Sequence, residues 1–84
     1  MKIGPYIGKR VRALRRARDM TQAELAHASG LPQGNISRLE RGEVDDVLVS
    51  TLTSLAKALG MTREELLAGI PEDEDEEHFV GARE

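Results

Sequence analysis

The sequence predicts an all-α fold, a five-helix bundle, on three observations. Apolar residues recur at helical spacing in Ile7, Val11 and Leu14 and again in Leu52, Leu55, Ala56 and Leu59, while no segment sustains the alternation of a strand. Two Thr-x-x-Glu capping boxes, Thr21 to Glu24 and Thr62 to Glu65, mark helix starts. Gly30, Gly42, Gly60 and Gly69 stand where helical patterns stop.

Pro5 suits the first turn of helix one, whose apolar face is Ile7, Val11 and Leu14. Arg10, Arg12 and Arg16 fall mostly on its other faces, and Asp19 and Met20 end it. Helix two follows the first capping box through Leu25, Ala26 and Ala28. Gly30 then supplies a positive φ, Leu31 an apolar plug, and Pro32 blocks continuation of the helix. Helix three is expected from Gln33 to about Arg41. At about 100° per residue, Ile36, Leu39 and Glu40 share one face, while Gly34, Ser37, Arg38 and Arg41 occupy the opposite, outward one. Asp46 is the expected cap of helix four, which would therefore begin in the loop after Glu43. The second capping box opens a short helix five with Leu66 and Leu67, closed by Gly69 and Pro71.

Length and composition bound the function. A chain of 84 residues has room for one core. Residues 1–70 read as that domain and residues 71–84 as a disordered acidic tail. The net charge of −3 sums unlike parts: residues 1–18 carry seven basic side chains and no acid, whereas residues 71–84 carry seven acids and one arginine. A basic face on the body points to a polyanion such as nucleic acid. With only Tyr6 and Phe79 as aromatics, the core must be aliphatic. The absence of cysteine excludes disulfide scaffolds, Cys-type zinc sites and thiol nucleophiles. His27 and His78 have no partnered nucleophile or metal cluster in the pattern, and no Gly-rich phosphate loop is present, so neither an enzyme, a metal nor a cofactor is expected. No apolar run is long enough for a membrane span and no signal peptide is visible, which makes the cytoplasm the default location.

The block Thr21 to Gly42, TQAELAHASGLPQGNISRLERG, is a capped helix, a glycine turn and a second helix. It resembles the phage-repressor, Cro/XRE-type helix-turn-helix family in Thr21-Gln22, Glu24-Leu25-Ala26, Gly30, Ile36-Ser37 and Leu39-Glu40-Arg41-Gly42. Ile7-Gly8, Val11, Leu14 and Arg15 before the block, and Thr51-Leu52, Leu55 to Gly60 and Glu65-Leu66-Leu67 after it, extend the likeness over roughly residues 6–69. The resemblance implies a lambda-repressor-like domain that binds double-stranded DNA and regulates transcription, with a repressor expected. It implies that Gln22 grips a phosphate at the start of helix two, that Gln33, Gly34 and Arg38 occupy base-reading positions, and that Asn35, Ser37 and Arg41 meet the sugar-phosphate backbone. Arg15 and Glu40 match the family's interhelical ion pair. Lys9 and Arg10 are the helix-one candidates for backbone contact. A symmetric homodimer on two half-sites is expected, marked by an exposed apolar residue such as Leu48, Met61 or Ile70.

Three departures from the family pattern are visible. Pro32 replaces a capping Ser or Thr, Gly34 removes a side chain from a base-reading position, and Leu48 stands where a polar cap for helix four is usual. The tail admits several readings. It is a solvated run of like charge, a competitor for the phosphate-binding face, or, through His78-Phe79-Val80, an anchor for a protein partner. The last underlies the alternative to a transcription regulator: an antitoxin or other protein-interaction module on the same fold, its acidic tail docking on a basic partner. A scaffold without groove readout is a third version, which Pro32 and Gly34 keep open.

Overall fold

The computed structural model describes residues 2–69. Among these residues lie five α-helices and no strand: α1 (Gly4–Ala17), α2 (Gln22–Ser29), α3 (Gln33–Glu40), α4 (Val49–Ala58) and α5 (Arg63–Leu67). The readings of residues 71–84 as an acidic tail, and of Ile70 as a dimer contact, lie outside the described residues.

Local chemistry sets the helix ends. Both capping boxes form. The Thr21 hydroxyl accepts from the Glu24 amide at 3.0 Å while the Glu24 carboxylate accepts from the Thr21 amide at 2.8 Å, and Thr62 and Glu65 repeat the arrangement. Three helices close in one way, the amide two residues past the cap reaching back to a carbonyl of the last turn. Met20 bonds to Arg15, Glu43 to Arg38 and Met61 to Ala56, around Asp19, Gly42 and Gly60 at positive φ. Asp19 is the non-glycine case, at φ 55°, because a short polar side chain tolerates this region better than most.

One boundary differs from expectation. α4 begins at Val49 with Leu48 as its cap residue, not at Asp46, and no side chain caps it. Val44 and Val47 pack against the core and Leu48 is extended, which keeps the helix from starting sooner. Pro32 is the cap residue of α3, which starts at Gln33 as expected. Its carbonyl accepts from the amides of Asn35 and Ile36 at 3.0 and 3.3 Å, so the helix starts without a cap hydroxyl.

The core is aliphatic: Ile7, Val11, Leu25, Ile36, Leu39, Leu52, Leu55, Ala56, Leu59 and Leu66. α1 packs on α3 and α5, α2 on α3 and α4, and α4 on α5. The α1–α3 approach is close enough that a Cβ on Gly8 would run into the Leu39 carbonyl, and one on Gly4 into those of Val44 and Asp45. Gly4 also donates its amide to the Asp45 carbonyl at 2.8 Å. The end of α3 is thereby seated directly on the α1 backbone. No described helix is long and apolar enough to cross a membrane.

Candidate nucleic-acid interface

The face of α3 follows from its burial pattern. Ile36, Leu39 and Glu40 are buried against the bundle, which turns Gln33, Gly34, Asn35, Arg38 and Arg41 to solvent, with Ser37 half-buried. The side chains of Gln33, Asn35 and Arg38 make no hydrogen bond to another described residue, and a Cβ on Gly34 would meet nothing within 4 Å. The helix therefore presents an unencumbered polar surface.

A buried ion pair fixes that surface in place. Arg15 donates from Nε to Glu40 Oε2 at 2.8 Å and from Nη2 to Oε1 at 2.9 Å, and its Nη1 donates to the Met20 carbonyl at 2.7 Å. Arg15 and Glu40 are each only 8% exposed. Gln22 adds a third donor to the carboxylate, Nε2 to Oε1 at 3.0 Å. Burial alone would push the Glu40 carboxyl up. The hydrogen bonds from Arg15 and Gln22, with the charges of Arg15 and Arg12, outweigh it and hold the group below its ordinary value. The hydrogen bond to Glu40 raises Arg15 despite desolvation. No buried side-chain polar atom among the described residues lacks a partner.

The same carboxylate places Gln22 at the start of α2 beside the end of α3. The capping box engages the amides of Thr21 and Glu24, while those of Gln22 and Ala23 have no intrahelical acceptor, as at any helix start. A helix N-terminus and an amide side chain thus lie next to the exposed helix, an arrangement suited to an anion.

The cations of α1 divide by face. Lys9 is exposed. Arg10, an expected backbone contact, is instead tied to the fold: Nε donates to the Leu66 carbonyl at 2.8 Å and Nη2 to that of Glu65 at 2.8 Å, closing the C-terminal end of α5. Arg18 does the same for α4 through the Leu59 carbonyl at 2.9 Å. Arg12, which sequence reasoning passed over, is exposed and near enough to Glu40 for its charge to act on that carboxyl, so it lies on the α3 side of α1. Its offset from Arg15 on the helical wheel, about 60°, was the available signal. Arg41 is exposed but partnered: Nε and Nη2 donate to the Glu43 carboxylate at 2.9 and 3.1 Å, and Nη1 to Ser37 Oγ. No group of three or more His, Cys, Asp or Glu side chains that could hold a metal occurs among the described residues.

A family profile described as helix-turn-helix matches residues 11–66. The chain belongs to the helix-turn-helix family, of the XRE or Cro-repressor type. It is 38% identical over 74 residues to the uncharacterized HTH-type transcriptional regulator y4dJ of Sinorhizobium fredii, covering 88% of this chain and 92% of the relative. Among solved structures it resembles the restriction-modification controller protein C.AhdI of Aeromonas hydrophila, with 35% identity, a TM-score of 0.69 and coverage of 75% of this chain and 94% of that one. The DNA-binding domain of the P22 C2 repressor is similar at 32% identity and a TM-score of 0.69, over 80% of this chain and 88% of that domain. Members of this family are DNA-binding transcriptional regulators and not enzymes. In this helix-turn-helix chain, α2 and α3 are the two motif helices, with Gly30 at φ 77° between them.

Proposed function

We propose that the chain binds double-stranded DNA sequence-specifically and represses transcription, with α3 lying in the major groove. The observation that carries this is the outward polar face of α3, seated on a rigid bundle by Arg15 and Glu40. An α-helix fits the groove, which is about 12 Å wide. Gln33 and Arg38 read base edges, the former suited to adenine and the latter to guanine. Gly34, between them, lets the backbone come close. Gln22, with the amides that open α2, takes a phosphate, and Asn35, Ser37 and Arg41 fix register on the same backbone. Lys9 and Arg12 add cationic contacts from α1. Residues 1–70 serve as the binding domain and residues 71–84 as an appended acidic segment.

One such module gives modest affinity, and a symmetric dimer on half-sites roughly 34 Å apart raises it. Leu48 and Val49, at 73% and 60% exposure, are the exposed large apolar residues of the described chain. They stand side by side at the start of α4 and are the natural dimer contact, whereas Met61 packs against the core. Selection of bound sequences from a random duplex pool, with stoichiometry measured on the winner, tests the reading. A palindromic winner holding two chains supports it, and absence of any preferred sequence refutes it.

A further inference from the structure

We infer that Glu43 is an internal competitor for DNA phosphate at Arg41, holding down the affinity of the domain for duplexes of every sequence. The inference rests on the proposal above that Arg41 meets the DNA backbone. Every nitrogen of the Arg41 guanidinium is engaged within the chain, two by the Glu43 carboxylate and one by Ser37 Oγ. A carboxylate held by two parallel hydrogen bonds occupies the fork that a phosphate would take, so the two occupants exclude each other. The backbone fixes this meeting. Gly42, at φ 81°, reverses the chain, and the Glu43 amide closes on the Arg38 carbonyl at 3.0 Å. Residue 43 is thus brought back over the last turn of α3, two positions after the arginine it engages.

The pair is exposed on both sides. Exposed ion pairs are weak, so phosphate can displace the carboxylate; Glu43 attenuates the contact without abolishing it. The displaced carboxylate also remains beside the incoming phosphate and repels it. Because the competition concerns the sugar-phosphate backbone only, it lowers affinity for preferred and unrelated duplexes alike. That lowers retention on bulk DNA while leaving the ratio of specific to non-specific affinity unchanged.

Glu43→Gln, Arg41→Ala and the double variant test this, with fluorescence anisotropy against a selected duplex and an unrelated one across a salt series. Glu43 is exposed, so the Gln variant should melt like the parent. It is expected to bind both duplexes about three- to fivefold more tightly, with a salt dependence steeper by about one phosphate contact. In the Arg41→Ala background the gain should largely vanish. Equal affinities for parent and Glu43→Gln would overturn the inference while leaving the DNA-binding reading intact. So would an undiminished gain without Arg41, which would reduce Glu43 to through-space repulsion. Parent protein that binds no duplex would remove both the inference and the reading beneath it.

Discussion

Arg38 and Arg15 carry the same charge in opposite settings. Arg38 is exposed with no side-chain partner among the described residues, whereas Arg15 is buried in two hydrogen bonds to Glu40. Arg38→Ala should leave the melting temperature unchanged, weaken binding to the preferred duplex by about 1–3 kcal/mol and relax selection at one base pair, as read by competition binding. Gln22→Ala should weaken all duplexes alike. Glu40→Ala strands the Arg15 charge in the bundle and should destabilise by about 3–5 kcal/mol in urea unfolding; Arg15→Met with Glu40→Leu should recover much of it. The pH dependence follows from the lowered Glu40 carboxyl. A group depressed on folding contributes its full stability above its unfolded value, about 4.3, and loses it as the pH falls through the folded value. Glu40→Gln should therefore flatten the acid limb of the stability curve. The burial of Glu40 was legible in the sequence, since the wheel sets it beside Ile36 and Leu39. The fate of Arg10 was not: its polar face is plain, but only the packed bundle shows the end of α5 lying across it. The Arg41–Glu43 contact was equally hidden, because it depends on how the chain turns at Gly42.

Among the helices, those with a local signal were the readable ones. Thr21 and Thr62 announce α2 and α5 through short-range hydrogen bonds that need no tertiary context. The start of α4 is set instead by Val44 and Val47 packing inward, a tertiary effect, and a cap-based reading at Asp46 places the cap two residues too early. The helix-one glycines were also opaque, since nothing in their neighbours says that a second backbone lies against them. Two glycine substitutions separate these cases. Gly34→Ala adds a Cβ that meets nothing and should stabilise α3 by up to about 1 kcal/mol, seen as a raised melting temperature. Gly8→Ala drives a Cβ into the Leu39 carbonyl and should destabilise by about 1–3 kcal/mol or more. It should also weaken DNA binding, because the displaced element is the end of α3.

For the whole molecule, the overall acidity of the chain conceals a domain whose basic residues carry separate duties. Arg10, Arg15 and Arg18 hold helices together, whereas Lys9, Arg12, Arg16 and Arg38 are among the cations left exposed. Composition revealed the excess of cations in residues 1–18 but could not sort them, because the sorting is made by which helix ends lie nearby. Assembly is set at this scale as well. Two apolar side chains make a small patch, far short of the roughly 1,200 Å² that a stable interface buries, so the proposed dimer should form on DNA and not in dilute solution. Leu48→Ser should leave binding to an isolated half-site unchanged and remove cooperativity on a palindrome, measured by gel shift with both duplexes. Loss of half-site binding would instead place Leu48 on the DNA itself.

The unencumbered outer side of α3 has a consequence for how such a protein diversifies. Since Gln33, Gly34 and Arg38 support nothing inside the bundle, their identities can be exchanged wholesale without jeopardising folding. Under the proposed reading, operator choice and structural integrity rest on separate residues, and a library randomised at those three positions should yield new target preferences from a scaffold that stays intact.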